Sequence, residues 1–278
     1  MKERIFITVK TYPNLSSKHG ELVCTAGINE QGEWRRIYPV PFRTLDESEQ
    51  YKKFQWVTVE LESAAPRDPR PESRKRVSGF PIELGEKVDD YQQRWEIISG
   101  QTPIYYSKTK LLEDMKEKGT SLAIFKPTEI QDMVFEETAA DWTEKQIAAF
   151  RNYQQQYSLF STPEEHEKRF LQEAKKIPYY FRYHFTDCDG LPSHLMVEDW
   201  EIGMLYLNSL KSPKFSTPEA AAKQTVKKYM ELAKTRDIYF FLGTILERQK
   251  KNAKNPFIIV GVFYNLKLPK QDEQIRLF

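Results

Sequence analysis

Short apolar, β-branched runs separated by turn residues fill the first third of the chain, and helical spacing replaces them in the middle. Ile5-Phe6-Ile7-Thr8-Val9 and Leu22-Val23-Cys24-Thr25-Ala26 flank a loop from Pro13 to Gly20, and both read as strands. Trp34 to Tyr38 comes after Asn29-Glu30-Gln31-Gly32, whose residue types suit a hairpin turn. Pro39 and Pro41 each remove a ladder donor, so pairing should end there. Gln55 to Leu61 alternates polar and apolar positions as a half-buried strand does. The proline-rich, charged run 66–76 reads as an exposed basic loop. Helices are predicted over 88–98 and 108–118, the second ending at Gly119, with Leu122 to Phe125 as the strand that closes this half.

Three further helix starts stand at Asp141 with Glu144, at Thr162-Pro163-Glu164-Glu165, and at Ser216-Thr217-Pro218-Glu219, where capping residues or an N-terminal proline open the pattern. Between and after them lie an aromatic strand, Tyr179 to Phe185, and two apolar strands, Ile238 to Thr244 and Phe257 to Tyr264, joined by the basic loop Arg248 to Lys254. These elements predict an α+β protein. A β-rich, small barrel-like domain would span 1–138, an α+β domain with a mainly antiparallel sheet 139–266, and a flexible tail 267–278.

A chain of 278 residues with 40% hydrophobic content can build one large core or two ordinary ones. Its two cysteines, Cys24 and Cys188, form no disulfide framework, which suits a reducing compartment. The apolar run at the N-terminus is too short for a signal peptide and no stretch is long enough to span a bilayer, so the cytoplasm is the expected location. The net charge of +2 demands no polyanionic partner, so any DNA contact must come from a local patch. Aromatic residues make up 13%, material for stacking platforms or for β-rich cores.

The tail carries the sharpest pattern. A polar stretch, Leu266 to Glu273, ends in Gln274-Ile275-Arg276-Leu277-Phe278, which places two large apolar residues at the very end. Gln274-x-x-Leu277-Phe278 resembles the clamp-binding peptide of bacterial replication and repair proteins. The resemblance implies that Leu277 and Phe278 enter a pocket on the DNA sliding clamp while Gln274 hydrogen-bonds beside it. Ile275 and Arg276 depart from the commonest form of that peptide, and the resemblance covers five residues. The other reading is a hydrophobic latch, with Leu277 and Phe278 folded onto their own domain.

Acidic residues offer a second candidate. His184, Asp187, Asp189, His194, Glu198, Asp199 and Glu201 crowd the end of the aromatic strand and the segment after it. Carboxylates so placed can hold Mg²⁺ or Mn²⁺, so Asp187, Asp189 and Glu198 are candidate ligands, and His184, Asp199 and Glu201 join them as candidate catalytic residues. Zinc on His184, Cys188 and His194 would need a spacing that matches no standard finger. The bland alternative makes Asp187-Cys188-Asp189-Gly190 a turn and Glu198-Asp199 a helix cap. No lysine follows these acidic residues at the E-x-K spacing of restriction-type nucleases.

The third candidate is basic: Arg35, Arg36 and Arg43 around Tyr38-Pro39-Val40-Pro41-Phe42, with Arg67, Arg70, Arg74, Lys75 and Arg76 in the loop. Arginines among aromatic residues can pair phosphates and stack on bases, whereas Asp68 and Glu72 would make the loop an ordinary solvated one. Phosphate-loop, dinucleotide, nucleophile-elbow and zincin motifs are missing, so no nucleotide cofactor is implied. The leading reading is a nucleic-acid-binding protein of DNA metabolism tethered to the sliding clamp. A metal-dependent nuclease or modifying enzyme of a mobile element or defence system competes with it, as does a non-catalytic adaptor.

Overall fold

The computed structural model describes residues 1–16, 20–40, 42, 45–148, 151 and 175–266. The first sheet is built from β1 (Lys2–Lys10), β3 (Gly20–Asn29), β4 (Trp34–Val40), β5 (Gln55–Ser63) and β6 (Ser73–Arg76), with β2 (Asn14–Ser16) and β7 (Glu83–Lys87) added to β3 and β5. Its path is β1-β3-β4-β6-β5, and β5 pairs again with β1, which closes a five-stranded barrel. All pairings around it are antiparallel except β4 with β6. Ile5, Ile7, Val23, Ile37, Val57, Val59 and Leu61 fill its interior.

The run 66–76 is therefore not simply an exposed loop. Ser73 to Arg76 is the strand that closes the barrel, with Ser73 buried, because β4 and β5 need a partner between them. No apolar alternation announces this strand.

After α1 (Tyr91–Ser99), the second sheet joins β8 (Ile104–Tyr105), β9 (Leu122–Phe125), β10 (Glu129–Glu137), β11 (Tyr179–Thr186), β12 (Pro192–Val197), β13 (Arg236–Thr244) and β14 (Phe257–Leu266) in the order β10-β11-β12-β14-β13-β9-β8. The helices that accompany the two sheets are α1, α2 (Lys108–Lys118), α3 (Trp200–Leu210), α4 (Pro218–Thr235) and the short α5 (Leu246–Lys250), and residues 144–148 are also helical. Leu122 to Phe125 thus belongs to the second sheet, paired with β13, rather than closing the first half. The change of sheet falls before residue 104, well ahead of the 136–142 region where the helical spacing begins.

The second sheet repeats the path of the first. β9 and β10 are separated only by Lys126-Pro127-Thr128 and act as one long first strand: β9 pairs with β13 and β10 with β11. Proline has no N–H to continue the ladder, so the strand divides there. Counting β9–β10, β11, β12, β13 and β14 as strands one to five, the order is 1-2-3-5-4 returning to 1, with strands three and five parallel, as in the first barrel. Helices α3 and α4 fill the connection from strand three to strand four. Both units therefore carry the topology of the OB barrel.

Each barrel has its own interior, the second one filled by Tyr183, Phe185, Tyr206, Phe240 and Ile259 among others. A third apolar cluster lies between them, where Phe6, Ala26, Ile28 and Trp34 meet Leu122, Ile124, Phe241 and Val260. Trp34 packs edge-on against Phe241 with ring centroids 5.9 Å apart. The two barrels thus share a buried seam, which disfavours independent motion.

Candidate functional site

Ligands of OB barrels lie on the outer face of strands two and three, between the loops that join strands one to two and four to five. In the first barrel that face is closed, because Ala26 and Ile28 of β3 and Trp34 of β4 are buried in the seam. In the second barrel the corresponding face is partly open among the described residues, although Met196 of β12 is buried in the seam. Along β11, Tyr179, Phe181, Tyr183 and Phe185 point inward, while Tyr180, Arg182, His184 and Thr186 face out. Cross-strand pairing places Asp132 and His194 beside His184, and Val134 and Met196 beside Arg182. Tyr180 is 43% exposed. His184 and His194 stack with ring centroids 4.0 Å apart, His184 Nδ1 lies 2.8 Å from Asp132, and Arg182 pairs with Glu136 at 3.1 Å.

The loop between strands four and five, 245–256, carries Arg248, Lys250, Lys251 and Lys254, all exposed and without an ion-pair partner among the described residues. It feeds β14, whose Ile259 pairs with Val197 and accepts from Glu198 N–H, and its Arg248 interacts electrostatically with Glu198, beside Tyr180 at the end of β12. There a cleft of about 170 Å³ opens, lined by Tyr12 of the first barrel and by Trp142, Lys176, Tyr180, Glu198 and Gly203. Gly203 lets Tyr12 lie on α3: a Cβ there would overlap the Tyr12 ring and come within 2.9 Å of Ile177 Cδ1. Burial raises the Glu198 carboxyl above its ordinary range, and Arg248 works against that.

The acidic candidates do not form one cluster. Asp187 and Asp189 lie at one end of β12, and Glu198, Asp199 and Glu201 at the other, about 20 Å away for a strand of this length. Asp187 organises a turn: its Oδ1 accepts from the backbone N–H groups of Asp189 and Leu191, and its Oδ2 accepts from that of Lys108 at the start of α2. Asp189 accepts from the Ser107 hydroxyl at 2.5 Å. Asp199 caps α3 through Glu201 N–H and accepts from Val262 N–H. Lys53 of the first barrel donates to both Asp199 and Glu201 at 2.9 Å. Burial would lower the Lys53 ammonium pKa, but the two flanking carboxylates outweigh it and the value is raised. Among the described residues no group of three His, Cys, Asp or Glu side chains could hold a metal ion.

The arginines mostly serve the fold. Arg36 is 2% exposed and reaches across the seam, donating to the Ser121 hydroxyl at 2.7 Å and the Ser121 carbonyl at 2.9 Å. Arg70 donates to the Thr244 carbonyl at 2.6 Å and is held by Asp68, while Glu72 accepts from Ser121 and Leu122 N–H. These loop residues fasten one barrel to the other. Arg35 pairs with Glu3 and Glu33, Lys75 with Glu62, and Arg76 with Glu49; Arg74 donates to the carbonyls of Pro71 and Ser73. Arg67 is exposed. Arg43, the predicted helix start at Thr162, and the tail with Gln274, Ile275, Leu277 and Phe278 lie outside the described residues.

Sequence reasoning gave no role to Tyr180, Arg182 or the 248–254 cations. The usable signal was the period-two alternation Tyr180-Arg182-His184 on an aromatic strand, together with a basic loop two strands later.

Comparison with curated proteins gave no match. A solved structure described as a murine DNA binding protein bound with double-stranded DNA aligns over 97% of this chain and 97% of its own, with a TM-score of 0.31 and 10% identity. Residues 1–100 match a family described as a domain of unknown function, DUF8758, and residues 105–278 match a second, DUF8757. These two matches meet at the boundary between the sheets, and the second covers more than half of the chain, which therefore belongs to the DUF8757 family.

Proposed function

We propose that this protein binds single-stranded DNA on the outer face of the second barrel and is brought to DNA by the sliding clamp, which takes Gln274, Ile275, Leu277 and Phe278. The observation that supports it is the coincidence, on one OB face, of exposed Tyr180 and half-buried Arg182 with the cations Arg248, Lys250, Lys251 and Lys254, which have no ion-pair partner among the described residues. Every base has a π-face, so stacking on Tyr180 and on the His184–His194 pair is sequence-tolerant and contributes about 1–3 kcal/mol per base. The cations neutralise phosphates, a local effect that a net charge of +2 neither supplies nor prevents.

β14 brings the chain to the surface at Leu266, which is 57% exposed, so the residues beyond it start from an accessible point. Burial of a leucine and a phenylalanine contributes about 3–5 kcal/mol before ordering costs, which leaves one peptide with modest affinity. A ring that encircles DNA and offers several equivalent pockets raises the effective concentration of both partners.

Fluorescence anisotropy with a labelled oligothymidylate tests the face. Tyr180→Ala/Arg182→Ala should weaken binding at least about tenfold at unchanged melting temperature, and equal affinity would contradict the assignment. Calorimetric titration of the clamp tests the tail: Leu277→Ala/Phe278→Ala should abolish the heat, and equal heats would remove the tether. A chain that binds the clamp but no oligonucleotide is an adaptor.

A further inference from the structure

The cleft beside Tyr180 contains a carboxylate, Glu198, of a different kind from Asp199 beside it and from Asp187 at the far end of β12. Asp187 and Asp199 are each held by backbone N–H groups, and Asp199 also by Lys53, as befits carboxylates that hold a fold together. Glu198 is adjacent in sequence to Asp199, yet among the described residues its side chain has no hydrogen-bond partner. Burial has already raised its pKa, so the anion is poorly solvated and gains from any donor that enters.

The cleft's shape and lining limit what that donor can be. Its volume of about 170 Å³ slightly exceeds the roughly 150 Å³ that suffices to take up benzene, so it admits the six-membered ring of a base with its pairing edge, and the rest of a purine stays at the mouth. Tyr12, Trp142 and Tyr180 supply aromatic surface, and Lys176 stands at the cleft with its Nζ donating to the Asp141 carbonyl at 2.9 Å. Tyr180 belongs both to the cleft and to the open face, so a strand crossing that face passes the mouth. A carboxylate presents two acceptors side by side. Among the bases only guanine carries two adjacent N–H donors, N1–H and N2–H, on its pairing edge. Adenine and cytosine place an acceptor beside their donor, and thymine flanks its donor with two acceptors.

We propose that the cleft receives an unstacked guanine from the bound strand, pairing edge first, with Glu198 accepting from N1–H and N2–H. This rests on the reading of the β10–β11–β12 face as a single-strand site. Turning one base out of a single strand costs little compared with a duplex. The sugar and phosphates stay on the face, near Lys176 and the 248–254 loop.

The test uses the full chain and oligothymidylates carrying one central dG, dA or dC, with affinities measured at fixed salt. Wild type should bind the dG strand about tenfold more tightly than the others. Glu198→Gln, which replaces one acceptor by a donor, should reduce that preference to less than about threefold while binding to plain oligothymidylate is unchanged. Equal affinity of wild type for all the strands would overturn the guanine pocket and leave the face standing. A dG preference that persists in Glu198→Gln would overturn the role of Glu198. Failure to bind any strand would overturn both.

Discussion

Arg36 shows how one side chain can look like a ligand in the sequence and act as a fastener in the fold. It stands in Trp34-Arg35-Arg36-Ile37-Tyr38, where arginine among aromatic residues suggests nucleic-acid contacts, yet it is buried against Ser121 of the other barrel. Burial, and Arg70 beside it, work against the charged form and lower its pKa, and Glu72 and Asp68 oppose them only in part. Arg36→Met keeps the bulk but leaves the Ser121 carbonyl and hydroxyl without their donor, and it unbalances Glu72. We expect a loss of about 3 kcal/mol or more in urea unfolding, against less than about 0.5 kcal/mol for Arg67→Ala on the surface. If Arg36→Met left the midpoint unchanged, the seam would not depend on this contact. The sequence could not reveal the role, because the partner lies 85 positions away, just ahead of a strand that the pattern assigns to the first half and the fold places in the second barrel.

At the scale of elements, the strands that sequence reasoning found are those with an apolar inner row and little charge, such as β1, β5, β13 and β14. Those it missed carry charge or breakers: β10 reads Glu-Ile-Gln-Asp-Met-Val-Phe-Glu-Glu, β12 opens on Pro192, and β6 is Ser-Arg-Lys-Arg. Each forms because its neighbours supply the ladder, so tertiary context overrides local preference. Helix α2, by contrast, was fully legible, since Ser107 caps it and Gly119 ends it in the left-handed region. Its attachment to β8 runs through Asp114, which accepts from the Tyr105 hydroxyl at 2.8 Å and from Lys118 at 3.1 Å. That hydroxyl first, then the lysines, lower the Asp114 carboxyl to about 2. A folded-state value below the unfolded one adds stability that is complete above about pH 4 and is lost as pH falls toward 2. The stability difference between wild type and Asp114→Asn, from urea midpoints, should therefore shrink from about pH 5 to about pH 2. A constant difference over that range would show that the carboxylate is not preferentially stabilised in the fold.

For the whole molecule, a barrel-like first half and an α+β second half were legible, but the repetition was not. Long helices between strands three and four, and a first strand divided at Pro127, disguise the second unit's likeness to the first. The repetition decides the proposed function, because the pairing of the barrels closes the ligand face of one and, among the described residues, leaves that of the other partly open. The proposed reading puts the DNA contacts at Tyr180 and the 248–254 loop, and not at the 66–76 run that composition favours. Salt dependence separates these sites. Each phosphate contact adds about 0.7 to the slope of log K against log salt for a single strand. Titration of oligothymidylate at several salt concentrations should give a slope lower by about 1.4 for Arg248→Ala/Lys251→Ala and an unchanged slope for Arg67→Ala/Lys75→Ala. The opposite result, with the slope lost in the Arg67/Lys75 variant and kept in the Arg248/Lys251 one, would contradict the account.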